Sequence, residues 1–304
     1  MAISRTQLVK ELEPGLNALF GLEYKRYENQ HAEIYVTESS DRAFEEEVML
    51  SGFANAQVKA EGQGVSFDTA QETYSARYTH DTVALAFAIT EEAIEDNLYD
   101  RLASRYTKAL ARSMSNAKQV KAAKPLNDGL PSVDNFDSGD GVSLFNTAHT
   151  TVSGTNVKNT LTTQADLNET SLEQALIDIA AMTDERGLRV AARAMKMIIP
   201  SANQFTAERL MKSQGRVGTA DNDINAVVSM GMVPQGYRVN NFLTDTDSWY
   251  LITDVPNGMK MFQRAALKTA MEGDFDTGNV RYKARERYSF GVSDYRGIFG
   301  CEGA

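Results

Sequence analysis

One stretch of the sequence predicts a very long helix, and it constrains the fold more than any other feature. Thr90 is a suitable N-cap, and acidic residues are concentrated in the ten positions that follow it. Residues 101–124 contain seven basic residues and no acidic one, which complements the helix dipole until Pro125. The pattern predicts a helix over 90–124, roughly 50 Å long, which is typical of a structural spine.

Two faces of this predicted helix can be assigned from its spacing. The apolar face, which we expect to pack inward, contains Leu98, Leu102, Tyr106, Ala109, Leu110, Ala117 and Val120. Beside it lies a basic stripe at positions i, i+4, i+7 and i+11, made of Arg101, Arg105, Lys108 and Arg112. This stripe is either a solvated side of the helix or a surface that faces DNA.

Strand patterns precede the helix. Alternation of Val83, Leu85, Phe87 and Ile89 with small or polar residues predicts a half-buried strand that ends the stretch ETYSARYTHDTVALAFAI. This stretch and the earlier strand-like stretch FEEEVMLSGF flank a loop that contains Gly62 and Gly64. The result is a long hairpin whose tip has too few apolar residues to form a core of its own.

The second half of the chain mixes helices and strands in runs, which indicates an α+β fold. Residues 125–170 read as a long connection with a short strand at VSLF. Helices are predicted at 171–187 and 203–213, with the strand MKMII between them. After Gly215 the predicted strands are GYRVNNFL, SWYLITD, MKMFQR, KTAMEGDF and VRYKARERYSFGV.

The last of these strands carries four cations at alternate positions. Arg281, Lys283, Arg285 and Arg287 are therefore expected on one face of the strand. Like charges at this spacing repel one another, so a counter-charge is expected from elsewhere. The acidic first fifty residues, with Glu45, Glu46 and Glu47, are the most concentrated source, and DNA is the alternative.

Composition excludes several classes of protein. The net charge is −10, so a strongly basic nucleic-acid binder is not indicated. Hydrophobic residues make up 42% and charged residues 24%, which is typical of globular chains. No apolar run is long enough to span a bilayer, and the N-terminal residues lack the apolar core of a signal peptide. Cys301 is the single cysteine, which excludes an internal disulfide.

The sequence lacks the common catalytic motifs. The sequence contains no phosphate-binding G-x-x-x-x-G-K, no G-x-S-x-G elbow and no H-E-x-x-H. The three histidines, His31, His80 and His149, form no pair at ligand spacing, and Asp245 and Asp247 lie in turn-like sequence. We therefore expect a protein that is not an enzyme and has no catalytic residue, metal site or cofactor.

The order of these elements resembles the major capsid proteins of tailed phages, which share the Hong Kong phage 97 fold. More narrowly, the chain is similar to the Mu-like major head subunit group. The similarity is carried by AITEEAIEDNLYDRL after the hairpin, GVSLFNTAH, MIIPSANQFTAERLMKS, WYLITD and VRYKARERYSFGVSDYRGIFG. These motifs cover nearly the whole chain in the same order.

The resemblance implies a division of the chain. Residues 1–45 would be the N-terminal arm, 46–85 the extended loop, and 166–264 the axial domain. Residues 86–165, with the spine helix at 90–124, and the returning strands of 265–304 would form the peripheral domain. The inter-subunit part of the extended loop would include Val58, Lys59, Glu61, Gly62, Gly64, Val65 and Phe67.

The implied function is self-assembly into hexamers and pentamers of an icosahedral shell that encloses double-stranded DNA. The shell would be part of the virion and would assemble in the cytoplasm of a bacterial host. Its partners would be further copies of the chain, a separate scaffold, a portal and decoration proteins, with no membrane. Lys59 lies where some members cross-link, but no acceptor can be assigned, and no covalent bond is expected. The alternatives are a nanocompartment shell of the encapsulin type and, more distantly, a cytosolic enzyme with a dispersed site.

Overall fold

A computed structural model describes residues 5–95, 99–215, 223–274 and 278–304, with the side chains of 13–93 and of the described residues from 103 onward. Its helices are α1 (Arg5–Arg26), α2 (Glu91–Glu95), α3 (Tyr99–Asp128), α4 (Glu169–Ala181), α5 (Gln204–Lys212) and α6 (Ala226–Ser229). Its strands are β1 (Val36–Ser39), β2 (Phe44–Leu50), β3 (Glu72–Thr79), β4 (Asp81–Ile89), β5 (His149–Thr150), β6 (Asn156–Val157), β7 (Ala194–Ile199), β8 (Tyr237–Val239), β9 (Trp249–Thr253), β10 (Met259–Gly273), β11 (Val280–Val292) and β12 (Ile298–Cys301).

The first layer consists of two helices on a four-stranded sheet. The strand order is β1-β10-β11-β4, with β1 parallel to β10 and the other pairs antiparallel. Helices α1 and α3 pack against each other and against one face of this sheet. The core between them includes Phe20 from α1, Leu110 and Met114 from α3, and Tyr282 from β11. Burial of these large side chains fixes both helices on the sheet.

The second sheet has the order β12-β9-β7-β8. Strand β9 is buried along most of its length, and Trp249 and Tyr250 are fully covered. Helix α4 begins with a capping box in which the side chain of Asn168 accepts a hydrogen bond from the Ser171 backbone N–H. The apolar side of α4 joins the same core as the sheet. The second sheet and helix α4 thus form a second layer of the subunit.

The two layers share one continuous core. Met259 and Tyr288 from the first sheet cluster with Trp249 and Phe299 from the second. Strand β10 begins before residue 265 and β12 pairs with β9, so the predicted boundary at 265 lies within a strand. The final strand of the predicted peripheral segment therefore belongs to the sheet of the predicted axial segment.

The spine helix begins after Thr90 as predicted but extends past its predicted C-terminal end. The helical stretch is described as α2 and α3, with residues 96–98 outside the described part, and α3 continues through Pro125 to Asp128. Leu126 is fully buried just beyond the proline. Burial of Leu126 stabilises the helix beyond the proline. It compensates in part for the free energy lost because proline has no N–H to donate to the helix.

The inward face predicted for this helix is wrong in most of its described part. Leu110 is buried as expected, but Tyr106, Ala109 and Val120 are exposed. Leu98 and the side chain of Leu102 lie outside the described residues. The helix instead buries Lys118 and Gln119, which have polar partners on other elements. The inward side is still mainly apolar, with Ala111, Met114 and Leu126 in the core, but it is a different side from the one predicted and it includes these two polar residues.

Three strand predictions also need correction. The stretch 72–89 forms two strands, since His80 separates β3 from β4, and each belongs to a different sheet. MKMFQR and KTAMEGDF form the single strand β10, with register shifts against β11 between Gln263 and Lys268. VSLF forms no strand, although Leu144 and Phe145 are fully buried. Within the segment predicted as the N-terminal arm, α1 spans 22 residues.

Candidate assembly interface

The extended loop is a two-stranded ribbon with a long irregular tip. Strands β2 and β3 pair antiparallel, from Phe44 opposite Thr79 to Leu50 opposite Glu72. Residues 51–71 are held at the base by the Ser51 N–H, which donates to the Gln71 carbonyl at 2.9 Å. Farther out, the Asp68 carboxylate accepts from the Ala54 N–H at 2.7 Å. Few other bonds cross the ribbon there, so the tip is stabilised weakly by its own chain.

The apolar side chains of this tip have almost no cover within the subunit. Val58 is 100% exposed, Phe67 98% and Val65 69%. The other residues predicted for this segment are likewise exposed, namely Lys59, Glu61, Gly62 and Gly64. Gly62 adopts a φ of 81° in the turn at the tip, a conformation that favours glycine. Apolar side chains exposed in this way make the tip a candidate for contact with another chain.

The base of the extended loop, in contrast, is fixed to the body of the subunit. Tyr78 of β3 contacts Phe262 edge-on, with ring centroids 4.8 Å apart, and its hydroxyl hydrogen bonds to Ser293. Gly291 leaves the space that this ring occupies, because an added Cβ would lie 2.6 Å from it. Glu47 of β2 accepts a hydrogen bond from Lys260 at 2.5 Å. The ribbon thus projects from a rigid base.

A buried charge cluster braces the same base from the second layer. Arg296 forms ion pairs with Glu185 and, at 3.3 Å, with Asp294. Burial raises the pKa of Asp294, while the guanidinium of Arg296 opposes that rise. Tyr295 of this cluster stacks on Tyr74 of β3, with centroids 6.4 Å apart. The cluster joins the ribbon to the loop after α4.

The cations of β11 occupy the face opposite the helices. Burial alternates along the strand, with Tyr282 and Ala284 in the core and Arg281, Lys283 and Arg285 exposed. Arg281 is paired with Asp274. The fourth cation, Arg287, is half-buried and donates to the His80 carbonyl at 3.4 Å. The alternation expected from the sequence is present.

Within one subunit, the structure does not bring these four cations to the acidic triplet in β2. Glu45 accepts from Ser40 at 2.7 Å, Glu46 lies 3.6 Å from Arg77, and Glu47 bonds Lys260. All three acids therefore have contacts on their own side of the molecule. Pairing of the triplet with a neighbouring subunit's β11 remains a prediction.

The basic stripe on α3 lies on the other surface of the first layer. Arg105, Lys108 and Arg112 are exposed, whereas the side chain of Arg101 is outside the described residues. Leu110 and Met114, on the opposite side of the helix, contact the core above Tyr282. The α3 stripe and the β11 cations therefore point away from the layer in opposite directions.

Sequence reasoning missed the buried polar pairs that position these surfaces. Lys118 of α3 lies 3.3 Å from Glu286 of β11, and both are buried. Burial raises the pKa of Glu286, opposed by the charge of Lys118. One signal was available, since Glu286 shares its alternation with Tyr282 and Tyr288 and so occupies an inward position. An acid at such a position requires a buried partner.

In the described part of the chain, no group of three or more His, Cys, Asp or Glu residues could hold a metal ion. His149 is buried between Asp140, at 2.6 Å, and Asn159, at 3.1 Å, where it joins polar groups within the fold. Among the described helices, none has the length and apolar character needed to cross a bilayer.

Solved structures share this fold. The procapsid protein of bacteriophage JBD30 aligns at a TM-score of 0.55 with 13% identity, covering 99% of this chain and 77% of that chain. The capsid protein of cyanophage P-SCSP1u aligns at 0.56 with 11% identity, covering 89% and 86%. A virus-like particle from Pyrococcus furiosus aligns at 0.53 with 9% identity, covering 94% and 98%. No curated protein matches the sequence.

The fold is therefore the Hong Kong phage 97 type expected from the element order. A family model described as phage capsid protein matches residues 73–300, which is most of the chain. The chain belongs to the phage capsid protein family, and it is a structural major capsid protein of a tailed-phage virion and not an enzyme.

Proposed function

We propose that the subunit assembles into hexamers and pentamers of an icosahedral shell that encloses double-stranded DNA. The observation that carries this proposal is the extended loop, whose Val58 and Phe67 are almost fully exposed on a ribbon with a fixed base. Such a loop gains stability when it lies across a neighbouring subunit, because burial of each large apolar side chain contributes about 1.5–3 kcal/mol. The same contact would recur at every copy in a closed lattice.

Each segment of the chain has a role in the proposed shell, as the capsid resemblance implies. Residues 1–45 act as the N-terminal arm. Within 46–85, the ribbon up to residue 79 acts as the extended loop that covers a neighbour, whereas residues 81–85 belong to β4 of the first sheet. Residues 86–165 and 265–304 form the peripheral domain, except that β12 completes the second sheet. Residues 166–264 form the axial domain, which meets its copies at the centres of hexamers and pentamers.

The α3 stripe supports contact with packaged DNA. Arg105, Lys108 and Arg112 are exposed on one side of the helix, and in the described residues they take part in no ion pair. Cations on a lumenal surface would bind phosphates without regard to base sequence and would release counterions. We place this surface toward the lumen.

The remaining partners follow from the resemblance to the Mu-like head subunit group. The shell would assemble in the host cytoplasm around a separate scaffold, receive a portal at one vertex and bind decoration proteins on its outside. A nanocompartment of the encapsulin type is the second candidate, since a virus-like particle from Pyrococcus furiosus shares the fold. The phage capsid family match favours the head subunit.

Electron microscopy of particles purified from cells that make the chain, with and without its phage, tests this function. Closed icosahedral particles that protect double-stranded DNA from nuclease are the expected result in infected cells. Particles that instead contain a defined protein cargo would support the nanocompartment. A monomer that never associates, even at high concentration, would reject both.

A further inference from the structure

The first sheet has a second exposed surface that the shell contacts proposed above do not use. On β11 it presents Arg281, Lys283 and Arg285, and on β10 it adds Lys268, which lies opposite Arg285. Lys283, Arg285 and Lys268 form no ion pair with any described residue. A chain with a net charge of −10 thus concentrates unpaired cations on one flat face. Like charges directly opposite one another on a sheet are unfavourable without a counter-ion.

Strand β4 borders this face with a row of small side chains. Ala88, Ala86 and Ala84 lie opposite Arg281, Lys283 and Arg285 in the antiparallel register, and all three alanines are exposed. Residues directly opposite one another share a face, so the short alanine side chains lie next to the long basic side chains of β11. The alanine side chains are too short to block the long basic side chains from extending across β4.

The outer edge of β4 is also open. The strand is the last in the order β1-β10-β11-β4, and no described residue forms backbone hydrogen bonds with its free edge. A free edge presents unpaired N–H and C=O groups to which another strand can add. A strand added there would lie about 10 Å from β11, two strand spacings away. Carboxylates on its alternate residues could then form ion pairs with the β11 cations that extend across the alanines of β4.

We propose that this face and the free edge of β4 together bind an extended acidic segment of a separate protein, which adds as a fifth strand. The added backbone would pair with β4, while acids at alternate positions would pair with Lys283 and Arg285, the two β11 cations without an ion pair. The segment 51–71 of another copy is a poor occupant, because it carries two acids, Glu61 and Asp68, against Lys59.

The acidic triplet of a second copy is likewise disfavoured. Glu46 and Glu47 already have cationic partners within their own chain. DNA is disfavoured for two reasons. A duplex makes no use of an open strand edge, and this face points away from the α3 stripe, so the two basic surfaces cannot both face one lumen.

Binding of designed peptides to the full-length, unassembled subunit tests the proposal. The probe is a labelled decapeptide that alternates Thr and Glu, compared with a peptide of five Thr followed by five Glu and with a 20-base-pair DNA duplex. The alternating peptide is expected to bind at least tenfold more tightly than the block peptide and the duplex. It should also slow amide hydrogen exchange along residues 81–89.

Two double variants locate the site. The combination Lys283→Glu with Arg285→Glu should weaken binding of the alternating peptide at least tenfold. The matched reversal Arg105→Glu with Arg112→Glu, on the opposite surface, should leave it unchanged. Circular dichroism and thermal unfolding establish that both variants keep the native fold.

Four outcomes would overturn the inference. The first is equal binding of the block and alternating peptides, and the second is tighter binding of the duplex that is lost in the Lys283→Glu, Arg285→Glu double variant. The third is unchanged amide hydrogen exchange in β4 when the alternating peptide is added. The fourth is no binding of any peptide by the native subunit. A loss of salt-sensitive self-association in a Glu45→Gln, Glu46→Gln, Glu47→Gln variant would also overturn it, because it would identify a second copy as the occupant.

Discussion

Gln119 of α3 and His31 are joined by two hydrogen bonds. The backbone N–H of His31 donates to Oε1 of Gln119 at 3.0 Å, and the Gln119 side-chain amide donates to Nδ1 of His31 at 2.9 Å. The acceptor role of Nδ1 assigns the proton of the neutral ring to Nε2. Burial, together with the nearby charge of Lys118, lowers the pKa of His31 to about 4.

This relationship predicts a loss of stability in mild acid. In the unfolded chain His31 takes up a proton near pH 6.5, whereas the folded state resists it until about pH 4. The unfolded state therefore binds more protons in this window, and stability falls as the pH falls through it. The contribution is at most about 3 kcal/mol. Urea unfolding at pH 7 and at pH 4.5 measures the change.

A His31→Gln variant provides the comparison. It keeps a polar group beside Gln119 but cannot be protonated, so its stability should fall less between the two pH values. Glu286 acts in the opposite sense, because its raised pKa favours the folded state as the pH falls. An acid dependence equal to that of the native chain would show that His31 is not responsible.

The extended loop should be needed for assembly and not for folding. Replacing residues 58–67 with a short Gly-Ser turn removes Val58, Val65 and Phe67, which make almost no contacts within the subunit. Far-UV circular dichroism should be unchanged, while light scattering and electron microscopy should show no stable closed shells. Replacing residues 60–63 alone is the matched control, and that variant should still assemble. Normal particles from the longer replacement would contradict the role of the loop.

Reversal of the α3 stripe should affect the genome more than the shell. In Arg105→Glu with Arg112→Glu, two exposed cations become anions without disturbing the buried side of the helix. Repulsion of phosphate should reduce nuclease-protected DNA per particle severalfold, measured against capsid protein. Reversal of the exposed Arg209 on α5 should have no such effect. Equal DNA content in both variants would place the α3 stripe away from the lumen.

Gly297 is predicted to be a site where one methyl group is not tolerated. A Cβ there would collide with the backbone Cα of Gly258, and backbone cannot move aside as a flexible side chain can. Gly297→Ala should therefore destabilise the subunit by roughly 1–3 kcal/mol in urea unfolding. Gly273→Ala has open space around it and should change stability little. Similar stabilities for the two variants would refute this contact.

The sequence predicted the elements whose pattern depends on their own residues. Alternation in β11 was sufficient, because one side of a regular strand faces the core. The helix predicted at 171–187 is present as α4, but it ends at Ala181, six residues before the predicted end. The orientation of α3 was not predictable in this way. Val120 is apolar yet exposed, and Gln119 is polar yet buried, since the partner of Gln119 lies 88 residues away in sequence.

The candidate site was predictable to a similar extent. The long loop was evident from Gly62, Gly64 and the scarcity of apolar residues, and the alternation placed the β11 cations on one face. What holds the loop base was not evident, because Tyr78 and Ser293 meet only after the chain has folded. The break at His80 was missed for the same reason, since its ring bonds Ser40 and Ser289 on other elements.

The pairing of β12 with β9 and of β1 with β10 also has a consequence for synthesis. The first sheet joins residues near position 36 to residues beyond 259, and the second sheet is complete only when 298–301 are present. A ribosome must therefore have added residue 292 before the first sheet can close, and residue 301 before the second sheet and the shared core can close. The body that carries the extended loop is therefore complete only after residue 301 has been added.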